Sequence, residues 1–164
     1  MTELGLLQAG RTAERLRCAG LRAVFSSPMR RAKQTAEVIA SVAGLSINED
    51  LRLRERMNWD GTRPIEEFLV DWAASVRDRS FVPQAGDSSA QAGERFHAFL
   101  LDLAGAPGPI AVCTHGGVTV DLLRTLIGDQ AVPERLWHEG VPSCAITTLD
   151  DQAVMEIASV SHLR

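Results

Sequence analysis

Two periods of apolar residues run along the chain. A helical period opens it: Leu6, Ala9, Ala13 and Leu16 recur at three- and four-residue steps, with Thr2 placed to cap the start and Gly20 to end it. A short apolar strand follows at 23–27 (AVFSS). The next segment returns to the helical period, with Ala32, Ala36 and Ile39 on one face, Pro28 suited to the first turn and Gly44 as terminator. "LSI" at 45–47 reads as a second short strand, and 48–63 is polar and irregular. Pro64 then opens a helix whose Ile65, Phe68, Leu69, Trp72 and Val76 form a broad apolar face. After a loop, Ser88 or Ser89 can cap a helix carrying Phe96, Phe99, Leu100 and Leu103. A strand at 110–114 runs into a His-Gly-Gly turn and a helix with Leu122, Leu123 and Leu126, ended by Gly128. "SCAITTL" and "VMEIASV" read as a hairpin turned at Asp150 and Asp151. There is no internal repeat, low-complexity segment or linker.

Strands alternating with helices predict an α/β fold: a mostly parallel sheet with a closing hairpin, in one domain over 1–164. In such sheets ligands collect beyond the carboxyl ends of the strands. Two strands end in polar residues that lead into helices. One ends at Ser26, Ser27, Pro28 and the Arg30–Arg31 pair, the other at His115, Gly116 and Gly117. If both ends share a rim, a planar cation, a switchable imidazole and free helix N-terminal amides surround one anion-sized pocket. Each piece also has a plainer reading. Adjacent arginines early in a helix fit a solvated face, a loop histidine fits a helix cap, and Glu55 in "LRLRERMNWDG" fits a surface carboxylate.

Composition narrows the function classes. With 17 Lys and Arg against 21 Asp and Glu, the formal charge is -4, which argues against a general nucleic-acid partner. Lys33 is the only lysine, so an arginine-rich composition alone marks no site. No apolar run reaches membrane-spanning length, and "MTELGLLQAG" lacks the form of a signal peptide. Cys18, Cys113 and Cys144 are odd in number and fit no metal pattern. These features lead us to expect a cytoplasmic protein with reduced thiols and no membrane partner, in which Cys113 simply fills its strand.

Four motifs in order carry a resemblance to the histidine phosphatase superfamily, which includes the cofactor-dependent phosphoglycerate mutases. "SSPMRRAKQTA" resembles that family's Ser-x-x-x-Arg-Ala-x-x-Thr-Ala segment, which maps its phosphate-binding arginine to Arg31. "LRLRERMNWDG" resembles the segment with the proton-transfer acid, which maps to Glu55, although the spacing to Trp59 is shorter than in many members. "AGDSS" resembles the Gly-Glu-Ser loop, with Asp87 in place of glutamate, and "CTHGGV" resembles the strand end bearing the pocket histidine, here His115. "TELGLLQA" resembles the helix after the family's first motif, so the similarity runs from Thr2 to about Leu163. The resemblance implies a three-layer, phosphoglycerate mutase-like sandwich. It assigns Glu55 and His115 to catalysis and Arg31, His115 and Gly116 to phosphate binding. It calls for no metal and no organic cofactor. The segment between Asn58 and Asp87, with Trp59, Trp72 and Phe81, would set substrate choice.

Family members open with a strand ending in Arg-His-Gly, whose histidine accepts the phosphoryl group. No such triplet occurs in this sequence, and His97, His138 and His162 are placed as structural or surface residues. Without a nucleophile the pocket can hold an anion, but the covalent route is closed. The resemblance implies a lineage of phosphomonoester hydrolysis, with mutase activity the alternative, and three readings of this chain stay open: a phosphatase given without its N-terminal strand, a shortened binder of phosphorylated ligands, and an interaction module with an incidental site. The reading just upstream of Met1 separates the first from the others. In each, the partner expected of the pocket is phosphate or a phosphorylated small molecule. The absent strand would lie beside Ile110–Thr114, so that edge is expected to be open, bridged or substituted. A homodimer is one way of covering it.

Overall fold

The computed structural model describes residues 1–164. Helix α1 (Glu3–Arg17) begins at Thr2, whose side chain accepts the Gly5 N–H. Strand β1 (Ala23–Ser26) leads to helix α2 (Arg30–Ala43), which ends at Gly44 in the left-handed region. Strand β2 (Ile47–Glu49), helix α3 (Ile65–Arg77) and helix α4 (Ser89–Asp102) follow. Strand β3 (Ile110–Cys113) runs into helix α5 (Gly116–Ile127), a short helix α6 (Arg135–His138) and the hairpin β4 (Ile146–Asp150) and β5 (Ala153–Ser159).

Strand alternation builds three layers. Val24, Ala111 and Cys113 point to one face of the sheet and pack with Ala13 of α1 and with Ala36, Ile39 and Ala40 of α2. Phe25 and Val112 point to the other and pack with Ala92, Phe96 and Phe99 of α4 and with Val118 and Leu122 of α5. The remaining side of α5, through Val120 and Leu123, packs with Leu136 of α6 and Ala158 of β5. No helix is long and apolar enough to cross a membrane.

The sheet is parallel, in the order β2-β1-β3. β3 therefore has β1 on one side and no hydrogen-bonded strand on the other. This is the open edge expected at Ile110–Thr114. Pro109 and Cys113 turn their carbonyls to β1, accepting from Arg22 and Ser27. By alternation, the N–H and C=O of Ile110 and Val112 face the open side. The hairpin is a separate antiparallel sheet, so it does not close the parallel one as the sequence suggested.

Several local expectations shift. Pro28 lies before α2, and Met29 takes the N-cap position. Pro64 likewise precedes α3 as its N-cap. β2 starts two residues later than "LSI", where pairing with Val24 begins. The hairpin turns at Asp151 and Gln152, both at positive φ, with Asp150 still in the strand. Leu6 faces solvent, because α1 packs through its small residues Ala9, Thr12 and Ala13. The apolar face predicted for α3 is only partly used: Ile65 and Leu69 are exposed, and its one buried residue is Ser75.

Candidate functional site

Two loops and one helix start build the site. The β1–α2 connection supplies Ser27, the first turn of α2 supplies Arg31, and the β3–α5 junction supplies His115 as the N-cap of α5. The parallel pairing of β1 and β3 sets these strand ends side by side, since Ser26 stands opposite Cys113 and Ser27 donates its N–H to the Cys113 carbonyl.

Arg31 and His115, 84 residues apart in the chain, touch: Arg31 Nε donates to His115 Nδ1 at 3.0 Å. An arginine nitrogen cannot accept, so Nδ1 is the unprotonated ring nitrogen and the proton sits on Nε2. Nε2 donates to Ser27 Oγ at 2.8 Å. Burial, then the charges of Arg31 and Arg95, push the imidazole down to about 4, so it is neutral in ordinary buffers. The Arg31 guanidinium is exposed and meets no carboxylate. Its outer nitrogens rest on weak partners, Asn58 Oδ1 at 3.1 Å and Met29 Sδ at 3.8 Å. A cation so held can exchange both partners for the oxygens of an anion. Arg30 is also exposed and bonds to none of these residues, in keeping with the divergence of about 100° between successive helical residues.

Glu55 sits on the first turn of the same helix, just beyond His115. Its Oε2 accepts from the Gly117 N–H at 2.9 Å, and its Oε1 accepts from Val118 at 2.8 Å and from Arg56 at 2.9 Å. A carboxylate here meets the positive end of the helix dipole. Glu55 bonds to neither Arg31 nor His115; the three share only the first turn of α5. The seat requires a glycine at 117, because a Cβ there would lie 2.6 Å from both Glu55 Oε1 and the Trp72 ring. Gly116 has more room, its nearest neighbour being the Val141 side chain at 3.4 Å.

Asp87 holds the rim together. It accepts from Arg54 at 2.8 Å and from Arg95 at 2.9 Å. Its own N–H donates to the Arg56 carbonyl, and Gly86, at φ 112°, passes so close that a Cβ would stand 2.3 Å from that oxygen. Trp72 lies over the Arg56 guanidinium at 4.0 Å, while Trp59 is exposed and donates to the Arg63 carbonyl.

The other histidines are occupied elsewhere. His97 bonds Gln152 in the hairpin turn, His162 bonds Thr12 and the Cys144 carbonyl, and His138 lies exposed near Glu134. Cys113 is buried, which pushes its thiol up to about 12 and leaves it inert. No cluster of three or more His, Cys, Asp or Glu side chains converges in a way that could hold a metal ion.

Sequence reasoning placed Ser27 at a strand end without giving it a role, and did not single out Asn58 or the buried pair of Arg56 and Asp121. Ser27 stands inside the quoted "SSPMRR" string. Asp121 gave a signal of its own, as a carboxylate between Val120 and Leu122 on an otherwise apolar helix side.

Comparison with known proteins adds four findings. A family description, "Histidine phosphatase superfamily (branch 1)", matches residues 1–154. A probable phosphoglycerate mutase of Yersinia pestis is 33% identical over 169 residues, covering 97% of this chain and 77% of that protein. Among solved structures, a mycobacterial glucosyl-3-phosphoglycerate phosphatase in complex with inorganic phosphate aligns with a TM-score of 0.73 at 24% identity, covering 94% of this chain and 83% of the other. YhfR of Bacillus stearothermophilus aligns with a TM-score of 0.74 at 24% identity, over 100% and 87% of the two chains. At these identities the structural likeness speaks for the fold: an α/β architecture with a parallel sheet and flanking helices.

Proposed function

Because the chain belongs to the histidine phosphatase superfamily, we propose that its lineage is phosphomonoester hydrolysis and that it binds the phosphoryl group of a small molecule between Arg31 and His115. The observation that carries this reading is the 3.0 Å contact of Arg31 with His115, which sets an unneutralised cation against a neutral imidazole at a helix start. Arg31 supplies charge and a planar pair of donors. The Nε2–H of His115 swings from Ser27 to a phosphoryl oxygen, and the Gly116 backbone lines the approach. Such donors, fixed before the ligand arrives, stabilise the charge on the transferring group.

Glu55 is the proton-transfer group. Its Oε2 accepts one N–H where Oε1 accepts two, so Oε2 keeps a lone pair for the proton it exchanges with the leaving oxygen or the attacking water. In the family a histidine of an Arg-His-Gly strand accepts the phosphoryl group. This chain has no such triplet; His97 and His162 are engaged away from the pocket, and His138 lies exposed on α6. We therefore infer that this polypeptide binds phosphate and is inactive or nearly so towards substrate.

Two measurements test the reading. Inorganic phosphate should bind the chain by calorimetry, Arg31→Ala should weaken binding at least about tenfold, and Arg30→Ala should leave it nearly unchanged. p-Nitrophenyl phosphate should stay at background with this chain, but should be hydrolysed by a version extended upstream with an Arg-His-Gly strand. Turnover by the chain alone that His115→Ala abolishes would overturn the assignment of the nucleophile. The curated relatives favour a second reading, phosphotransfer between phosphoglycerates, in which the acceptor is a second substrate rather than water. A phosphoglycerate mutase assay on the extended version separates the two.

A further inference from the structure

Below the pocket lies a buried ion pair that phosphate binding does not use. Asp121 is 0% exposed and Arg56 is 2% exposed. Arg56 Nη1 donates to both carboxylate oxygens, at 2.8 and 3.0 Å, and Ser89 Oγ donates to Oδ1 at 2.6 Å. Arg56 Nε is buried with no partner. Desolvating two charges costs about as much as their attraction returns, so such a pair is a poor source of stability. It is a good source of position.

Gly117 and Asp121 are four residues apart and share one face of α5. Glu55 and Arg56 are consecutive and lie along that face, Glu55 on the Gly117 and Val118 amides and Arg56 on Asp121 one turn further in. The opposite side of the segment is held by the Asp87 N–H on the Arg56 carbonyl. Ser89 reaches Asp121 because Gly93, one turn along α4, lets the two helices close on each other there.

We propose that Arg56 and Asp121 are positioning residues for Glu55: the pair fixes the register of its segment along α5 and so keeps the carboxylate on the first amides of the helix, beside His115. The role rests on the reading of Glu55 as the proton-transfer group, but the seat itself can be measured without turnover.

In a ¹⁵N-labelled chain, the Gly117 and Val118 amides report the carboxylate they donate to. Glu55→Gln defines their shifts and loss of pH response when that carboxylate is gone. The double variant Arg56→Met/Asp121→Leu replaces the pair by apolar side chains, an exchange that folds tolerate. We expect it to fold and melt near the parent temperature, with both amides moved to their Glu55→Gln positions and no longer titrating. Arg56→Lys, which keeps a charge opposite Asp121, should restore part of the parental shift. Parental shifts and titration in the folded double variant would overturn the proposal, as would amides indifferent to Glu55→Gln. If the double variant does not fold, Asp121→Asn is read in the same way. Failure of both to fold also overturns the proposal, since the pair is then a requirement of the fold. Loss of phosphate binding elsewhere would sink the functional reading and leave these signals untouched.

Discussion

At the scale of the residue, His115 is a histidine kept neutral by where it sits. Its pKa falls from the ordinary 6.5 to about 4 through burial, then Arg31 and Arg95. Between those values the unfolded chain takes up a proton that the folded chain refuses, so stability rises with pH across that window. The contribution is whole above about 6.5 and drains away as the pH falls towards 4. Screening of the neighbouring exposed Arg31 charge leaves ~1–2 kcal/mol of it. Urea unfolding near pH 5 and near pH 7 should show that loss, and His115→Asn should flatten it; an equal loss in the variant would assign the slope to other groups. The residues of this site differ in how openly the sequence announces them. Arg31, His115 and Glu55 stand in short ordered strings, so their places could be read before any contact was known. Ser27 opens the string that ends in Arg31, but its bond to His115 could not be read there, and Asn58 was not legible at all, because an amide joins the site only through the fold that carries it there.

At the scale of the element, the α4–α5 contact turns on a glycine. A Cβ at Gly93 would stand 2.3 Å from Thr125 Oγ1 and 2.5 Å from the Asp121 carbonyl. Alanine normally gains a helix up to about 1 kcal/mol over glycine. Here the obstacle is backbone, so Gly93→Ala should lower stability by ~1–3 kcal/mol through overpacking, read as a lower denaturant midpoint. A midpoint unchanged or raised would mean that the helices separate easily. The sequence marked α4 and α5 correctly because large apolar residues repeat on their inner faces. α1 misled for the opposite reason. It meets α2 through alanines, and the leucine at position 6 is left outside. α3 misled because its inner face is made by Trp72 on a guanidinium and Ser75 on Met57, contacts that a hydrophobic period does not describe.

At the scale of the whole molecule, the alternation of strand and helix was enough to give layers and parallel pairing. The hairpin's separation from the sheet depended on what stands beside β3, which local periodicity cannot tell. That open flank leads us to expect a particular way for the protein to be lost from solution. Ile110 and Val112 turn two donors and two acceptors outward along a strand that is otherwise half-buried. Two molecules meeting flank to flank satisfy all four at once. Disappearance of monomer should then depend on encounters between molecules, with a half-life that shortens in proportion as concentration rises, rather than on the spontaneous opening of single molecules at a fixed rate. Size-exclusion chromatography over time at two concentrations about tenfold apart distinguishes the two rate laws: a half-life about ten times shorter in the denser sample marks the flank as the route, and equal half-lives exclude it.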